Sequence, residues 1–286
     1  MTGEESIPVG VNLTTIGVTS NWWLQAARRV EGAGYRGVWA WDHFMTFVRR
    51  GPRSDSVLEC WTLLAAAAAS TERLRVGSFV VNVMNRHPQV LARIVATLAD
   101  LSGGRVELGI GIGGNPTEHT AYAIPFPEAA ERAARLEEAI AVLRLLLAGG
   151  PADYDGQFYQ LHDAYAFPTP QPMPRIIVGA ETPAGGRLAA RVADGVTIFA
   201  NTWDRVMPVF LEGLEKAGRR REDVSVLVGL DLEKDIAPED QPALADLAAT
   251  AAQWKERGAD EIVLHWIRPD ALDAVLAAGE RAGLAG

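Results

Sequence analysis

The chain contains one cysteine, Cys60. An internal disulfide is therefore excluded, as is a metal site built from several thiolates. Its apolar neighbours make Cys60 an expected inert core thiol. Lysine is almost as scarce, with three residues against twenty-four arginines, a bias better ascribed to genome composition than to function. No long basic run occurs and the net charge is −9, which argues against a nucleic-acid surface. Arg219, Arg220 and Arg221 adjoin, but they follow Gly218, where a helical pattern stops, and read as a solvated turn. No apolar run is long enough for a bilayer. The alanine-rich stretch Ala65 to Ala69 falls far short of the roughly 20 residues a spanning helix needs. No charged-then-apolar leader opens the chain, so a soluble cytoplasmic protein is expected. His119, His162 and His265 lack partners at metal-ligand spacing, so no metal site is expected.

What the sequence does contain is alternation. Short β-rich apolar runs give way repeatedly to longer helical patterns, which predicts βα units and a parallel sheet. Eight strands are predicted, at Val9–Leu13, Gly37–Trp41, Leu74–Phe79, Val106–Ile110, Arg175–Val178, Gly195–Phe199, Val224–Leu230 and Glu261–His265. Eight such repeats in 286 residues match a closed (β/α)8 TIM barrel, one domain over 1–286, better than an open doubly wound sheet. Between Glu128 and Leu147, the residues Ala129, Leu136, Ile140, Leu143 and Leu147 form one helical face that Gly149-Gly150-Pro151 ends. A final helix is predicted from Asp270 to Ala282. The longest interruption is the excursion 151–174. Asp155-Gly156 suggests a small hairpin, and Pro168, Pro170, Pro172 and Pro174 suggest an extended strap. Such an excursion serves either as a lid or as packing.

Polar chemistry sits just past strand ends. Trp39-Ala40-Trp41 runs into Asp42-His43-Phe44, and the fourth strand runs into Gly111-Ile112-Gly113-Gly114. Both belong at the C-terminal rim, where barrels of this kind place their sites. The glycine loop does not fit a dinucleotide fingerprint, because its first glycine lies in the strand and no matching acid follows. It still allows close approach of a flat ring. Thr117 and Glu118, just beyond, either face a ligand or form a turn into a helix. His87, before Pro88, reads as a cap or a packing residue. After the fifth strand, Gly179-Ala180-Glu181-Thr182 precedes Pro183 at a helix start, where unpaired amides suit a phosphate. Trp22, Trp23, Phe44, Phe47 and Trp203 lie near presumed rim loops and hint at an apolar pocket or at packing.

Together these pieces resemble the bacterial-luciferase-like flavin and deazaflavin oxidoreductases, and more narrowly their coenzyme F420-dependent branch. The matching segments run almost end to end: Glu31-Gly32-Ala33-Gly34-Tyr35, Asp42-His43-Phe44, Arg86-His87-Pro88 through Ser102-Gly103-Gly104-Arg105, Gly109 to Gly113, Glu131-Arg132 with Arg135 to Glu138, and Ala193-Asp194-Gly195. Asp-His after the second strand favours F420 over FMN. The resemblance implies hydride transfer at the deazaflavin C5, with a cis non-prolyl bond at Phe79-Val80 against the back of the ring. It implies that Asp42 hydrogen-bonds the ring and that His43 exchanges a proton. It also makes Asn82, Gly113 and Thr117 cofactor contacts, and Gly179, Ala180, Glu181 and Thr182 the phosphate turn. Sugar-phosphate dehydrogenases of this group carry an acid where this chain has Gly114, which leaves Glu118 as the substitute catalytic acid. A homodimer is expected, since subunits of this family commonly pair.

An F420-dependent oxidoreductase acting on a small organic substrate, with apolar character suggested by the aromatic residues, is therefore the leading expectation. An FMN-dependent monooxygenase and a non-catalytic cofactor-binding barrel are the alternatives.

Overall fold

The structure, a computed structural model, describes residues 6–46, 56–233 and 235–285. Its strands are β1 (Val9–Leu13), β2 (Gly37–Ala40), β3 (Arg75–Ser78), β4 (Val81–Asn82), β5 (Val106–Gly111), β6 (Ala152–Asp155), β7 (Gln160–Ala164), β8 (Ile176–Gly179), β9 (Gly195–Phe199), β10 (Ser225–Asp231) and β11 (Glu261–Ile267). The helices are α1 (Ser20–Gly32), α2 (Cys60–Ser70), α3 (Pro88–Ser102), α4 (Pro116–Ala121), α5 (Ala129–Leu147), α6 (Pro183–Val192), α7 (Trp203–Lys216), α8 (Pro242–Ala245), α9 (Leu247–Glu256) and α10 (Leu272–Arg281).

The main sheet runs in the order β3-β2-β1-β11-β10-β9-β8-β5, and a β3–β5 pairing closes it into a parallel barrel. This is the predicted eight-stranded TIM barrel. The predicted strand limits shift at the rim. The second and third strands stop one residue short, at Ala40 and Ser78, because Trp41 and Phe79 leave the ladder to line the mouth. β11 runs two residues further than expected, to Ile267. β4 is additional. It continues the third strand along β5 after one extra residue: Gly77 pairs with Glu107 and Val81 with Ile110, four steps against three. That mismatch is a β-bulge. Within it the Phe79–Val80 peptide is cis.

Side chains alternate along each strand, so three levels fill the barrel. At the N-terminal end, Glu107 pairs with Arg75 at 2.9 Å and with Arg175 at 2.5 Å, and Glu261 lies 3.4 Å from Arg175. The middle level is apolar: Trp39, Ile177, Leu227 and Val263. Trp39 fills space that side chains on β1 would otherwise occupy; a Cβ at Gly10 would lie 1.9 Å from its ring. The level nearest the mouth holds Phe79 beneath Phe199 and His265, with ring centroids 5.8 and 5.6 Å away.

Helices cover the outside as their periodicity predicts. α5 buries Leu136, Ile140, Leu143 and Leu147 of its predicted face, each contributing about 1.5–3 kcal/mol, whereas Ala129, in the first turn, is exposed. α3 opens on Pro88 and closes on Gly103, whose φ of +63° makes the left-handed cap that glycine tolerates best. The excursion 151–174 forms the expected antiparallel hairpin, β6 with β7. It lies along the outer helices. Glu138 of α5 accepts the amides of Gln157 and Phe158 at 2.9 Å, Gln89 of α3 donates to the Gln160 carbonyl, and Tyr159 and Leu161 are buried in the main core. These contacts pack the excursion onto the outer helix layer. No helix among the described residues is long and apolar enough to cross a membrane.

Candidate active site

The bulge decides where everything at the mouth sits. Its carbonyl at Ser78 would be 2.1 Å from a Cβ at Gly109, and Val80 would be 3.0 Å from one at Gly111 or Gly179. Gly113, at φ +77°, leaves room for the Asn82 amide, 2.4 Å from where its Cβ would be. The glycine-rich loop therefore accommodates the protein's own bulge, and this is its first structural use. Only glycine lets β5 and β8 close on a strand carrying an extra residue.

Asp42 leaves β2 and turns inward, with 3% of the residue exposed. Both its carboxylate oxygens accept from Arg86 Nη1 at 2.7 Å, and one accepts from the Asn82 amide and Asn85 Nδ2 at 3.3 Å. Burial raises the Asp42 pKa above the ordinary carboxylate value, and Arg86 opposes that shift. For Arg86, burial lowers the pKa, but Asp42 and Glu59 more than compensate. A guanidinium so held keeps its charge, and with it Asp42 is a carboxylate. Arg86 Nη2 also reaches Glu59 at 2.6 Å, the N-cap of α2, so one guanidinium ties the Asp42 turn to a helix start. The expected ring contact of Asp42 has a strong internal competitor in this arrangement.

His43 follows, with 30% of its side chain exposed. Its Nδ1 lies 3.2 Å from Glu118 Oε2, which also accepts the amides of Phe44 at 3.0 Å and Met45 at 3.4 Å. A carboxylate only accepts, so Nδ1 carries the hydrogen and Nε2 of the neutral ring holds the lone pair. Glu118 is 1% exposed. Burial pushes its pKa up, but the His43 hydrogen bond, with the two amides, brings it below the usual value. Glu118 thus lies beneath the His43 loop and acts on it. It does not stand at the rim as an acid facing substrate. The cause is the phase of α4: capped by Asn115, this short helix turns Glu118 and His119 inward and leaves Thr117 exposed.

His119, unassigned by sequence, holds Asn82. Its Nδ1 faces the Pro125 carbonyl at 3.1 Å, so Nδ1 is the donor and Nε2 accepts from Asn82 Nδ2 at 2.7 Å. Asn82 Oδ1 accepts the Met84 amide at 3.0 Å. His87 packs edge-on against Tyr159. Among the aromatic residues, Trp23 is fully buried under α1 and Trp203 packs on Trp254 between outer helices. Phe44 meets Tyr122 at a tilt of 58°, and Trp22 rests half-buried against the core. Phe47 lies outside the described residues. The mouth is lined instead by Trp41, Phe79, Phe199 and Trp266.

At the end of β8, the Ala180 amide is already given to the Thr197 carbonyl at 2.9 Å. Thr182 caps α6, accepting from the Gly185 amide at 3.2 Å. Glu181 and Thr182 are exposed, and Arg205 donates to the Glu181 carbonyl at 2.9 Å. The Arg205 guanidinium adds positive charge beside the helix start and offsets the Glu181 carboxylate. A phosphate suits such a turn.

The model of the luciferase-like monooxygenases matches residues 13–277. The chain belongs to that family. This luciferase-like barrel is 35% identical over 233 residues to an F420-dependent glucose-6-phosphate dehydrogenase of Microbacterium testaceum, covering 78% of this chain and 68% of the relative. A second relative of that name, from Beutenbergia cavernae, is 34% identical, with 62% of its length covered; the chain thus spans about two thirds of these relatives. In fold it is similar to an F420-dependent secondary alcohol dehydrogenase solved with an F420-acetone adduct, with a TM-score of 0.82, 19% identity, and coverage of 99% of this chain and 100% of that one.

Proposed function

We propose that the chain is an F420-dependent oxidoreductase whose hydride chemistry takes place at the barrel mouth, with His43 as its proton-exchanging residue. The observation that carries this reading is the His43–Glu118 pair, set beside a bulge that presents Val80 to the same mouth. The two relatives, both named F420-dependent glucose-6-phosphate dehydrogenase, support the cofactor assignment.

The residues present suit a deazaflavin. Val80 and the bulge offer a convex apolar surface for a ring, Asn82 and Gly113 border it, and the exposed Glu181–Thr182 end of the Gly179–Thr182 turn, beside Arg205, is proposed to receive a phosphate. Thr117, exposed on α4, borders the same opening. When bound, the deazaflavin supplies a hydride donor or acceptor at its C5. The protein's part is positional and protonic. Glu118 holds His43 Nδ1–H, so the proton that accompanies hydride transfer is taken or given at His43 Nε2. Asp42, clamped by Arg86, fixes the turn that carries His43.

The substrate is proposed to be a small organic alcohol or carbonyl compound with apolar character. Phe199, Trp41 and Trp266 offer it apolar surface. Gly114, where sugar-phosphate dehydrogenases of this group carry an acid, has open space around its Cβ position, so a different substrate from theirs is expected. A homodimer is proposed as well. The groove between α2 and α3 is mostly apolar, lined by Trp61, Ala65, Val90, Ile94, Leu98 and Leu101 with Arg93 and Thr97, and Val90 and Leu101 are 54% and 49% exposed. A screen of F420 reduction and oxidation against alcohols, enones and imines tests the activity. Turnover with at least one class, lost in His43→Ala, is expected. Turnover unaffected by His43→Ala would remove the proton-exchange role.

A further inference from the structure

A second hydrogen-bonded chain crosses the mouth on the side opposite Glu118. His265 Nδ1 lies 2.6 Å from Asp231 Oδ1, and His265 Nε2 lies 2.9 Å from Trp41 Nε1. The directions are fixed by chemistry. A carboxylate only accepts and an indole N–H only donates, so His265 is the Nδ1–H tautomer and receives the Trp41 hydrogen at Nε2. The imidazole has little freedom to do otherwise. It is 9% exposed and is packed by Trp41, Phe79 and Phe199 at centroid distances of 5.1, 5.6 and 4.7 Å.

The chain joins strands that are not neighbours. β1 separates β2 from β11, so the bond from Trp41 to His265 spans the mouth above it. Trp266 reinforces the span. Its amide donates to Asn12 Oδ1 and its indole to Thr14 Oγ1, both at 3.2 Å, and its ring lies 5.4 Å from that of Trp41. At the other end, Trp41 directly precedes Asp42-His43, and its ring meets His43 edge-on at 5.9 Å and 83°.

We infer that Asp231, His265 and Trp41 form a positioning chain that fixes where the His43 ring stands at the mouth. The inference rests on the proposed role of His43. Glu118 holds His43 at Nδ1, and the Trp41 edge bears on the same ring. Asp231 selects the His265 tautomer, His265 orients the indole, and the indole orients His43. None of the three needs to touch a reacting atom. Asp231 is at the surface end of the chain, with its side chain 53% exposed, so its replacement disturbs little packing.

The test compares His265→Gln, which keeps an oxygen acceptor for Trp41, with His265→Phe, which keeps bulk but loses the acceptor, and with Asp231→Ala. In histidine- and tryptophan-labelled protein, ¹⁵N NMR reads the His265 tautomer, the Trp41 indole proton and the His43 ring signals without any turnover. Glucose 6-phosphate, 2-propanol and cyclohexenone serve as trial substrates for kcat. Expected are an Nδ1–H His265 in the native protein, and a displaced His43 signal in His265→Phe that His265→Gln restores. Turnover should fall about 10- to 100-fold in His265→Phe, in line with the cost of misplacing a reacting group by about 1 Å. Affinity for F420 should stay within about twofold. An Nε2–H tautomer, or His43 signals and kcat unchanged in His265→Phe while His43→Ala is inactive, would overturn the chain alone. Full activity of His43→Ala would instead bring down the role of His43 on which the chain rests.

Discussion

Glu118→Gln is the substitution from which most can be learned. Three donors converge on one oxygen: the Phe44 amide at 3.0 Å, the Met45 amide at 3.4 Å and His43 Nδ1 at 3.2 Å. Glutamine keeps the shape and one acceptor, but loses the charge. Hydrogen bonds to a charged group are worth about 1.5–3 kcal/mol, against about 0.5–1.5 for neutral ones. The 3.4 Å contact is marginal, so about 1 kcal/mol is lost at each of the two shorter bonds. Part of that loss falls on stability and part on the ordering of His43. We expect stability to fall by about 1–2 kcal/mol and kcat by about tenfold, with the affinity for F420 little changed. Glu118→Ala leaves the same donors with no acceptor in a buried site and should cost about 3–5 kcal/mol. Urea unfolding gives the first quantity, steady-state kinetics the second and fluorescence quenching the third. The wild-type protein should also lose this stabilisation in acid. The Glu118 pKa is depressed, so the contribution is full above the unfolded-state value near 4.5 and disappears as pH falls through the folded value. If Glu118→Gln kept full kcat but bound F420 weakly, Glu118 would be a cofactor contact and the positional account would be wrong.

Three other outcomes are expected. Arg86→Ala leaves Asp42 buried and unpaired and should destabilise the fold by about 3–5 kcal/mol, which chemical denaturation would show; a loss below about 1 kcal/mol would mean that Asp42 finds another partner. Gly109→Ala sets a methyl against the Ser78 carbonyl, so it should lower Tm by several degrees through overpacking of about 1–3 kcal/mol, and it should impair F420 binding with it; an unchanged Tm would show that the bulge yields. Burial beside Glu107 raises the Glu261 pKa to about 7. Folding then favours its protonated form, so stability should fall as pH rises from about 4.5 to 7, and Glu261→Gln should abolish that slope in pH-dependent unfolding.

The barrel was largely legible in the sequence because its strands are buried on both faces and read as apolar runs between amphipathic helices. The hairpin was legible from its Asp155-Gly156 turn signal. The site was legible only in outline. Asp42 and His43 stand out because a polar pair after a buried strand marks a rim, but no local pattern tells which way each turns. Asp42 turns in because Arg86, 44 residues away, meets it there. Thr117 and Glu118 are adjacent, and a helix of six residues is too short to announce which of them faces inward. Trp23 and Trp203 lie near loops, which left pocket and packing both open; helical phase decides for packing, since Trp23 shares its face with Ala26, Ala27 and Val30. The glycines of β5 signalled close approach correctly, yet the approaching atoms belong to the bulge. Trp41 and His265 are 224 residues apart, and only closure of the barrel brings them together.

The central claim is that this mouth holds a deazaflavin against the Phe79–Val80 bulge with His43 beside it. Parallel fluorescence-quenching titrations with F420 and with FMN test it most directly, using the native protein and Gly109→Ala. Tighter binding of F420 than of FMN, weakened by Gly109→Ala, is the predicted result. A clear preference for FMN, or F420 binding indifferent to the bulge, would contradict the claim.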